Sequence, residues 1–249
     1  MPKYNMTVSP DFNPEKIAGW YIFNTWLQST LNMDIHLELY NSFETQRRAI
    51  REGKVDIIYA NPFDAAMLIR EQGFSALVKP VDRPDEAVIV TSANSEITGI
   101  DELKPGTKIA ATDDPDINMI GMRTIESADL DDNNTSTETV ISYVVVAKRI
   151  INGDADVGFI LKEAYDDLSN LVKNQLKVLV TSQISVIYHS LMLGPKLLEH
   201  KPKMEEALLT MGDNQKGAGI LTAIGMQAWE TMEEEDAEFM IDLMETLRD

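Results

Sequence analysis

The sequence predicts an α/β protein with two similar lobes, and the main observation is an internal repeat. A helix-like run, a glycine and an apolar run occur over residues 44–67 and return 100 positions later over residues 145–167. Gly53 and Gly153 each follow the helix-like run, as a left-handed helix C-cap does. The apolar runs, 57–59 and 157–160, are typical of strands buried on both faces of a parallel sheet.

The two copies favour two lobes, each with a mainly parallel sheet flanked by helices. One doubly wound sheet containing both copies is the alternative, because helix, glycine and strand are a common local succession. In open parallel sheets, ligands bind beyond the carboxyl ends of the strands. Loops 60–63 and 161–163 are therefore expected to face one another across a cleft.

Composition excludes several classes of protein. The 249 residues carry a net charge of −19, and no cluster of Lys and Arg is present to bind nucleic acid. The absence of cysteine excludes disulfides, thiolate metal sites and cysteine nucleophiles. No run approaches a membrane span, and residues 1–8 lack the apolar core of a signal peptide. The protein is cytoplasmic if Met1 is the native start, and periplasmic or otherwise extracytoplasmic if a leader was removed.

Local patterns predict the individual elements. Strands are expected at 4–8, 35–40, 57–59, 74–78, 87–91, 107–111, 157–160 and 176–180, and helices at 15–31, 44–53, 63–72, 145–153, 202–211 and 231–247. Aromatic residues in the first helix, Trp20, Tyr21, Phe23 and Trp26, recur at spacings that predict core positions. Residues 128–137 are expected to be irregular, and Gly217 and Gly219 to lie in a link between helices.

Four segments in this order resemble the phosphonate-binding, PhnD-like branch of the type II periplasmic binding proteins. They are the initial strand and loop with Pro10, AIREGKVDIIYANPFDAA, SANSEITGIDELKPGTKIAATDDP and IINGDADVGFI. The resemblance covers roughly residues 3–226. It implies two α/β lobes joined by two crossing strands, with lobe one formed by residues 1–87 and 186–249 and lobe two by residues 88–185.

The resemblance also implies where a ligand binds, although this chain departs from the family there. Asp114-Pro115 and Gly121 match the turn and helix that hold the phosphonate, but Asn118-Met119-Ile120 lacks the family's hydroxyls. Tyr143 stands where the family has a cleft histidine, and Ala65 where it has a tyrosine. The amides at a helix start can bind an anion without hydroxyls, while Asp113, Asp114 and Asp116 would repel a dianion.

The expected ligand-binding residues follow predicted strands or lie near the second crossover. They are Asp11, Asn41, Ser42, Asn61, Phe63, Thr112, Asp113, Asn118, Met119, Tyr143, Lys162, Tyr188 and His189. Lys162 is either a replacement cation for the missing hydroxyls or a solvated surface lysine. The three histidines lack metal-ligand spacing, residues 128–137 lack the Gly and terminal Glu of an EF-hand, and no Ser-His-Asp order is present. We therefore expect no metal, no cofactor and no catalytic residue.

The predicted function is a solute-binding protein that closes two lobes around a small polar, anionic ligand, phosphonate- or phosphate-like by family resemblance. Its partners would be that ligand and an ABC transporter permease or a sensor protein, and it would not insert into a membrane. Two alternatives stay open. One is a cytoplasmic enzyme on the same fold, as in menaquinone or thiamine-precursor synthesis, and the other is a scaffold that binds partners through the acidic helix at 231–247.

Overall fold

A computed structural model describes residues 4–248, and these residues form two compact units with a sheet each. Unit 1 comprises residues 4–83 and 188–243, and unit 2 comprises residues 84–187 and 244–248. The lobe limits predicted from sequence lie a few residues from these limits, but residues 244–248 group with unit 2 and were placed in lobe one. Residues 1–3 and 249, at which the predicted first lobe begins and ends, lie outside the described part of the chain.

Unit 1 is built on a six-stranded sheet in the order β11-β4-β10-β3-β1-β2. Its strands are β1 (Tyr4–Val8), β2 (Ile35–Leu37), β3 (Ile57–Ala60), β4 (Ser75–Pro80), β10 (Ser190–Leu193) and β11 (Trp229–Thr231). Its helices are α1 (Ile17–Leu31), α2 (Phe43–Arg51), α7 (Lys201–Leu209), α8 (Gln215–Ala223) and most of α9 (Glu234–Arg248). The strands β1, β2 and β3 are parallel, whereas β10 and β11 run antiparallel to their neighbours.

Unit 2 is built on a five-stranded sheet in the order β7-β6-β8-β5-β9. Its strands are β5 (Ala87–Ser92), β6 (Lys108–Ala111), β7 (Ser136–Thr139), β8 (Val157–Leu161) and β9 (Leu176–Thr181). Its helices are α3 (Pro115–Ile125), α4 (Tyr143–Asn152), α5 (Lys162–Asp167) and α6 (Asn170–Lys173). The strands β6, β7 and β8 are parallel, and β5 is antiparallel to both of its neighbours.

The internal repeat is confirmed in detail by two aspartates that make the same contacts in both units. In unit 1, the Asn5 amide of β1 donates to Asp56 Oδ2 at 2.9 Å, and the Asp56 amide donates to the Asn5 carbonyl at 2.8 Å. In unit 2, the Lys108 amide of β6 donates to Asp156 Oδ2 at 2.8 Å, and the Asp156 amide returns to the Lys108 carbonyl at 2.9 Å. Each aspartate thus joins the repeat strand to its parallel neighbour.

The core of unit 1 confirms most of the aromatic pattern in α1. Trp20 is 2% exposed and Phe23 is fully buried, and both rings lie in one cluster with Trp229 and Tyr59. Tyr21 was also predicted to be core, and this was wrong because its side chain is 51% exposed on the opposite face of the helix. A spacing of three or four residues identifies a helix, but the width of the buried stripe is set by packing partners.

The predicted fold class, two α/β units with a sheet each, is confirmed, and one continuous doubly wound sheet is excluded. Several finer predictions were wrong. The two sheets are mixed and not mainly parallel. The second strand ends at Leu37, and the helix expected at 63–72 is a 3₁₀ turn, Pro62–Asp64, and a π-helix, Met67–Glu71. The edge strands β7 and β11 were missed, since an exposed or three-residue strand leaves little alternation to detect.

Gly217 and Gly219 lie within helix α8 and not in a link. An added Cβ at Gly217 would stand 1.8 Å from the backbone carbonyl oxygen of Met211, whereas one at Gly219 would meet nothing within 4 Å. The sequence predicted a link between helices at these glycines, whereas Gly217 permits a close approach of two backbone segments.

We expect the two glycines of α8 to respond in opposite directions to the same substitution. Gly217→Ala should lower the free energy of unfolding by about 1–3 kcal/mol, because a backbone carbonyl cannot yield as a side chain can. Gly219→Ala should raise it by roughly 0.5–1 kcal/mol through the higher helix propensity of alanine. Urea unfolding at 25 °C measures both, and equal effects would contradict the close approach.

A search of the helices in the described residues finds none that combines the length and the apolar character needed to cross a membrane.

Candidate functional site

The direction of the strands in unit 1 brings several predicted site residues to one edge of its sheet. Because β1, β2 and β3 are parallel, the loops that follow them emerge at the same edge. The antiparallel strand β10 begins at this edge, so the residues just before it arrive there as well. Asp11, Asn61 and His189 meet at this position although they are far apart in the sequence.

Asp11, Asn61 and His189 form what we call the Asp11 cluster. Asp11 Oδ2 accepts a hydrogen bond from Asn61 Nδ2 at 2.8 Å and lies 2.9 Å from His189 Nε2. The side chains of Asp11 and His189 are 3% and 8% exposed. His189 also stacks on Tyr59, with ring centroids 5.3 Å apart. Asp11 and His189 therefore form a buried ion pair at hydrogen-bond distance, and the Tyr59 ring packs against the histidine.

Two opposing effects set the pKa of Asp11. Burial, the largest single effect, raises it, whereas the charge of His189 and hydrogen bonds from His189 and Asn61 lower it. Together the lowering contributions prevail, so the pKa of Asp11 lies below its ordinary value. The carboxylate is therefore ionised at neutral pH.

The other predicted residues of unit 1 are placed less centrally. Asn41 is exposed, and Ser42 caps α2 by accepting a hydrogen bond from the Thr45 amide at 3.3 Å. The Phe63 ring lies 5.2 Å from the guanidinium of Arg47. Tyr188 lies under the ammonium of Lys79, which is 4.3 Å from the ring centroid. Phe63 is linked directly to the Asp11 cluster, because its backbone amide donates to Asn61 Oδ1 at 2.9 Å.

The predicted residues of unit 2 likewise gather at the carboxyl edge of its sheet. The strands β6, β7 and β8 are parallel, and residues 112, 143 and 162 follow them in the chain. Helices α3 and α4 begin at this edge, each one loop after its strand. The group formed by Thr112, Asp114, Asp116, Asn118 and Tyr143, here named the Asp114 cluster, lies where these two helices begin.

Asp114 is the N-cap of α3 by backbone position, yet its side chain does not cap the helix. Its Oδ2 accepts a hydrogen bond from the Tyr143 hydroxyl at 2.5 Å, and Asp114 is 1% exposed. The side-chain amide of Asn118 donates to the Thr112 backbone carbonyl at 2.9 Å, which closes the turn before the helix. At the N-terminus of α3, Asp114 and Asn118 are thus bonded to a side chain and to the backbone of the same unit.

Burial raises the pKa of Tyr143 well above its ordinary value, and the charge of Asp114 and the hydrogen bond to it raise the pKa further. A hydrogen bond from Thr112 acts in the opposite direction and is outweighed. Tyr143 therefore keeps its proton at physiological pH and acts as a donor to Asp114.

The remaining predicted residues of unit 2 lie outside this bonded group. Asp113 is exposed, and Met119 is half-buried on α3. Lys162 begins α5, and its ammonium bonds to Asp166 Oδ2 at 2.5 Å with about half of the Lys162 side chain exposed. Gly121, which matches the family pattern, packs against the Phe159 ring, where an added Cβ would come within 2.5 Å. Close packing against Phe159 therefore explains why a glycine stands at position 121.

Sequence reasoning did not include four residues that belong to these surroundings. Arg47 Nε donates to the buried Asp64 at 2.6 Å and holds the Phe63 loop. Asp114 and Asp116 were considered only as a frame and as a source of repulsion, yet both are buried. Aspartates are ordinarily exposed. The hydrogen bond that accompanies the burial of Asp114 comes from Tyr143, which is 29 residues away and gives no signal in the local sequence.

Comparisons with known proteins agree with this geometry. A family model described as ABC transporter, phosphonate, periplasmic substrate-binding protein matches residues 6–237. No curated protein sequence matches the chain.

Solved structures show the same fold at low identity. PhnD1 from Prochlorococcus marinus, in complex with methylphosphonate, has a TM-score of 0.85 and 12% identity, with 98% of each chain covered. A binding protein component of an ABC phosphonate transporter from Pseudomonas aeruginosa has a TM-score of 0.77 and 14% identity, with 99% of this chain and 88% of that chain covered. The periplasmic aliphatic sulphonate binding protein SsuA from Escherichia coli has a TM-score of 0.68 and 12% identity, with 98% and 87% covered.

Proposed function

The chain belongs to the periplasmic substrate-binding proteins of phosphonate ABC transporters, and from this premise we propose that it captures a small polar solute and delivers it to a membrane permease. The observation that carries the proposal is the family match, which spans residues of both units. Under this proposal the protein works outside the cytoplasm and turns over no substrate. The role of the family supports the permease partner and the periplasmic location in this proposal.

The ligand contacts are assigned to polar residues at the carboxyl edges of the two sheets. In unit 2 these are the residues of the Asp114 cluster, which lie at the start of α3 and α4. In unit 1 they are Asp11, Asn61 and His189, with Asn41, Ser42, Phe63 and Tyr188 in the neighbouring loops. Placement beyond the strand ends, where open α/β sheets bind ligands, supports this assignment.

Native mass spectrometry of the full chain, purified without denaturation, should identify a co-purifying solute. On adding that solute to protein stripped of it, we expect NMR amide shifts at Thr112, Asn118, Tyr143, Asn61 and His189. Signals of the exposed helix residues Glu234 and Glu235 serve as the control, since they lie on the surface of α9. Shifts confined to the surface of α9 would favour a partner-binding scaffold and contradict the proposal.

The same solute distinguishes a binding protein from an enzyme on this fold. After prolonged incubation with the protein, chromatography should recover the solute unchanged. Formation of a product would contradict the non-enzymatic role. Closure of the lobes around the solute stays a prediction, which small-angle X-ray scattering tests as a fall in the radius of gyration.

A further inference from the structure

The side chain of Asn61, one of the assigned ligand contacts, is oriented by the turn that it begins. Asn61 is the N-cap of the 3₁₀ turn Pro62–Asp64, where its Oδ1 accepts a hydrogen bond from the Phe63 amide at 2.9 Å. Its Nδ2 donates to Asp11 Oδ2 at 2.8 Å. Because both atoms belong to one planar amide group, fixing Oδ1 on the turn also sets the direction of Nδ2. The bond from Asn61 to Asp11 therefore depends on the geometry of the turn.

Arg47 of helix α2 holds the other end of this turn. Its Nε donates to Asp64 Oδ1 at 2.6 Å, and the Asp64 side chain is 4% exposed. The guanidinium carbon lies 5.1 Å from the centroid of the Phe43 ring and 5.2 Å from that of the Phe63 ring. A charge-assisted hydrogen bond and a cation–π contact thus join α2 to two of the three residues of the turn.

Helix α2 is itself anchored to the strand β1. Gln46, the residue before Arg47, is 1% exposed, and its Nε2 donates to Thr7 Oγ1 at 3.1 Å and to the Val8 carbonyl at 2.8 Å. These two acceptors lie at the end of β1, and the loop that follows β1 carries Asp11. Helix α2 therefore connects the loops after β1 and β3, which meet in the Asp11 cluster.

We propose that Arg47 is a positioning residue of the solute-binding site, which acts through the turn on the orientation of Asn61 and so on the bond from Asn61 to Asp11. The inference rests on the solute-binding function proposed above. Arginine suits this role because its planar group donates within its plane and contacts rings with its faces, whereas a lysine ammonium is a point charge. Ordering the turn in advance spares the solute the cost of ordering side chains on binding, which is roughly twofold to tenfold in affinity for each.

Arg47→Lys tests the positioning without a solute, because it keeps the charge and removes the planar group. In NMR spectra of the full chain, the side-chain NH₂ signals of Asn61 should shift in this variant. The side-chain NH₂ of Asn24, which donates from α1 to a backbone carbonyl of β2 at 3.1 Å, should keep its position. Arg149→Lys, which makes the same change at an arginine bonded to Glu138 in unit 2, should leave both sets of signals unchanged.

Titrations then test the effect of Arg47 on affinity. The probes are methylphosphonate and ethanesulfonate at millimolar concentrations, together with any solute that co-purifies with the parent. Shifts of backbone amide signals give the dissociation constant for the parent and both variants. We expect at least one probe to bind the parent saturably, Arg47→Lys to weaken that binding about tenfold, and Arg149→Lys to bind as the parent does. Urea unfolding of the three proteins measures stability separately.

A purely structural role of Arg47 predicts a different pattern of results. Unfolding of Arg47→Lys would then occur at lower urea concentration, while the Asn61 NH₂ signals stayed in place, and this result overturns the inference. Shifted Asn61 signals with an unchanged dissociation constant also overturn it, as do equal effects of Arg149→Lys. These three results leave the solute-binding function standing. Failure of the parent to bind any of the probes contradicts the proposed function and, with it, the role of Arg47 in binding.

Discussion

Asp11→Ala is expected to lower the free energy of unfolding by about 3–5 kcal/mol at pH 7, the cost of removing one partner of a buried ion pair. Without the carboxylate, the His189 ring nitrogen and the Asn61 side-chain amide lose the hydrogen bonds that they make to Asp11. The side chain of Asp11 is only 3% exposed, so little of this cost is screened by solvent. Urea unfolding followed by tryptophan fluorescence measures the change.

An exposed pair of the same chemistry provides the control. His36 and Glu38 lie 3.0 Å apart with side chains about half exposed, 51% and 53%. Glu38→Ala should therefore change stability by less than about 1 kcal/mol. A loss below about 1 kcal/mol for Asp11→Ala would contradict the view that the Asp11 cluster stabilises unit 1.

Because the pKa of Asp11 is lowered, the stabilisation that the pair of Asp11 and His189 provides depends on pH in a definite direction. In the unfolded chain the carboxyl group titrates near its ordinary value of about 3.9. In the folded protein its pKa is lower, so the stabilisation is complete above the unfolded pKa and is lost as pH falls through the folded pKa. Asp11→Asn should be less stable than the parent at neutral pH, and the difference should shrink below about pH 4.

The repeat and the helix boundaries could be predicted because each depends on neighbouring residues. Gly53 and Gly153 adopt the left-handed conformation, with φ of 66° and 76°, that a helix C-terminus requires. Ser42 and Ser142 cap the helices that precede these glycines. The strands between the glycines and the next turn are wholly buried, as their apolar runs predicted.

The mixed sheets could not be predicted because strand direction depends on partners that are distant in the sequence. The strand β10 pairs with β3 across about 130 residues of chain, and its apolar run says nothing of its orientation. Helix α8 was missed because its glycines suggest a link between helices, whereas close approach to the Met211 backbone explains Gly217. Packing between distant segments overrides local propensity in both instances.

The sequence predicted the loops in which the candidate residues lie, but not the hydrogen bonds that these residues make. Strand ends identified the loops that carry Asp11, Asn61, Thr112 and Tyr143, because parallel strands place them at one edge. Burial of Asp114 and Asp116 had no local signal, since acidic residues in a loop are ordinarily solvated. Which hydroxyls and amides are already bonded is a property of the folded chain alone.

The second large expected effect is weak binding of the family's own ligand class. A tetrahedral dianion needs several donors, and each missing donor to a charged group costs about tenfold to a hundredfold in affinity. Asn118, Met119 and Ile120 stand where the resemblance implies hydroxyl donors, so two such losses are expected. Two neighbouring buried carboxylates add repulsion at short range.

Isothermal titration of the full chain with methylphosphonate at pH 7.5 tests the central claim most directly, which is the prediction that a chain with the family fold, but without hydroxyl donors at residues 118–120, binds this ligand class weakly. We predict that the heat of binding does not saturate at ligand concentrations up to roughly 1 mM. A dissociation constant of that size corresponds to a binding free energy of about −4 kcal/mol. A saturable isotherm with a dissociation constant of about 1 μM or tighter, abolished by Asn118→Leu, would contradict it, because the cluster would then hold an anion despite Asp114 and Asp116.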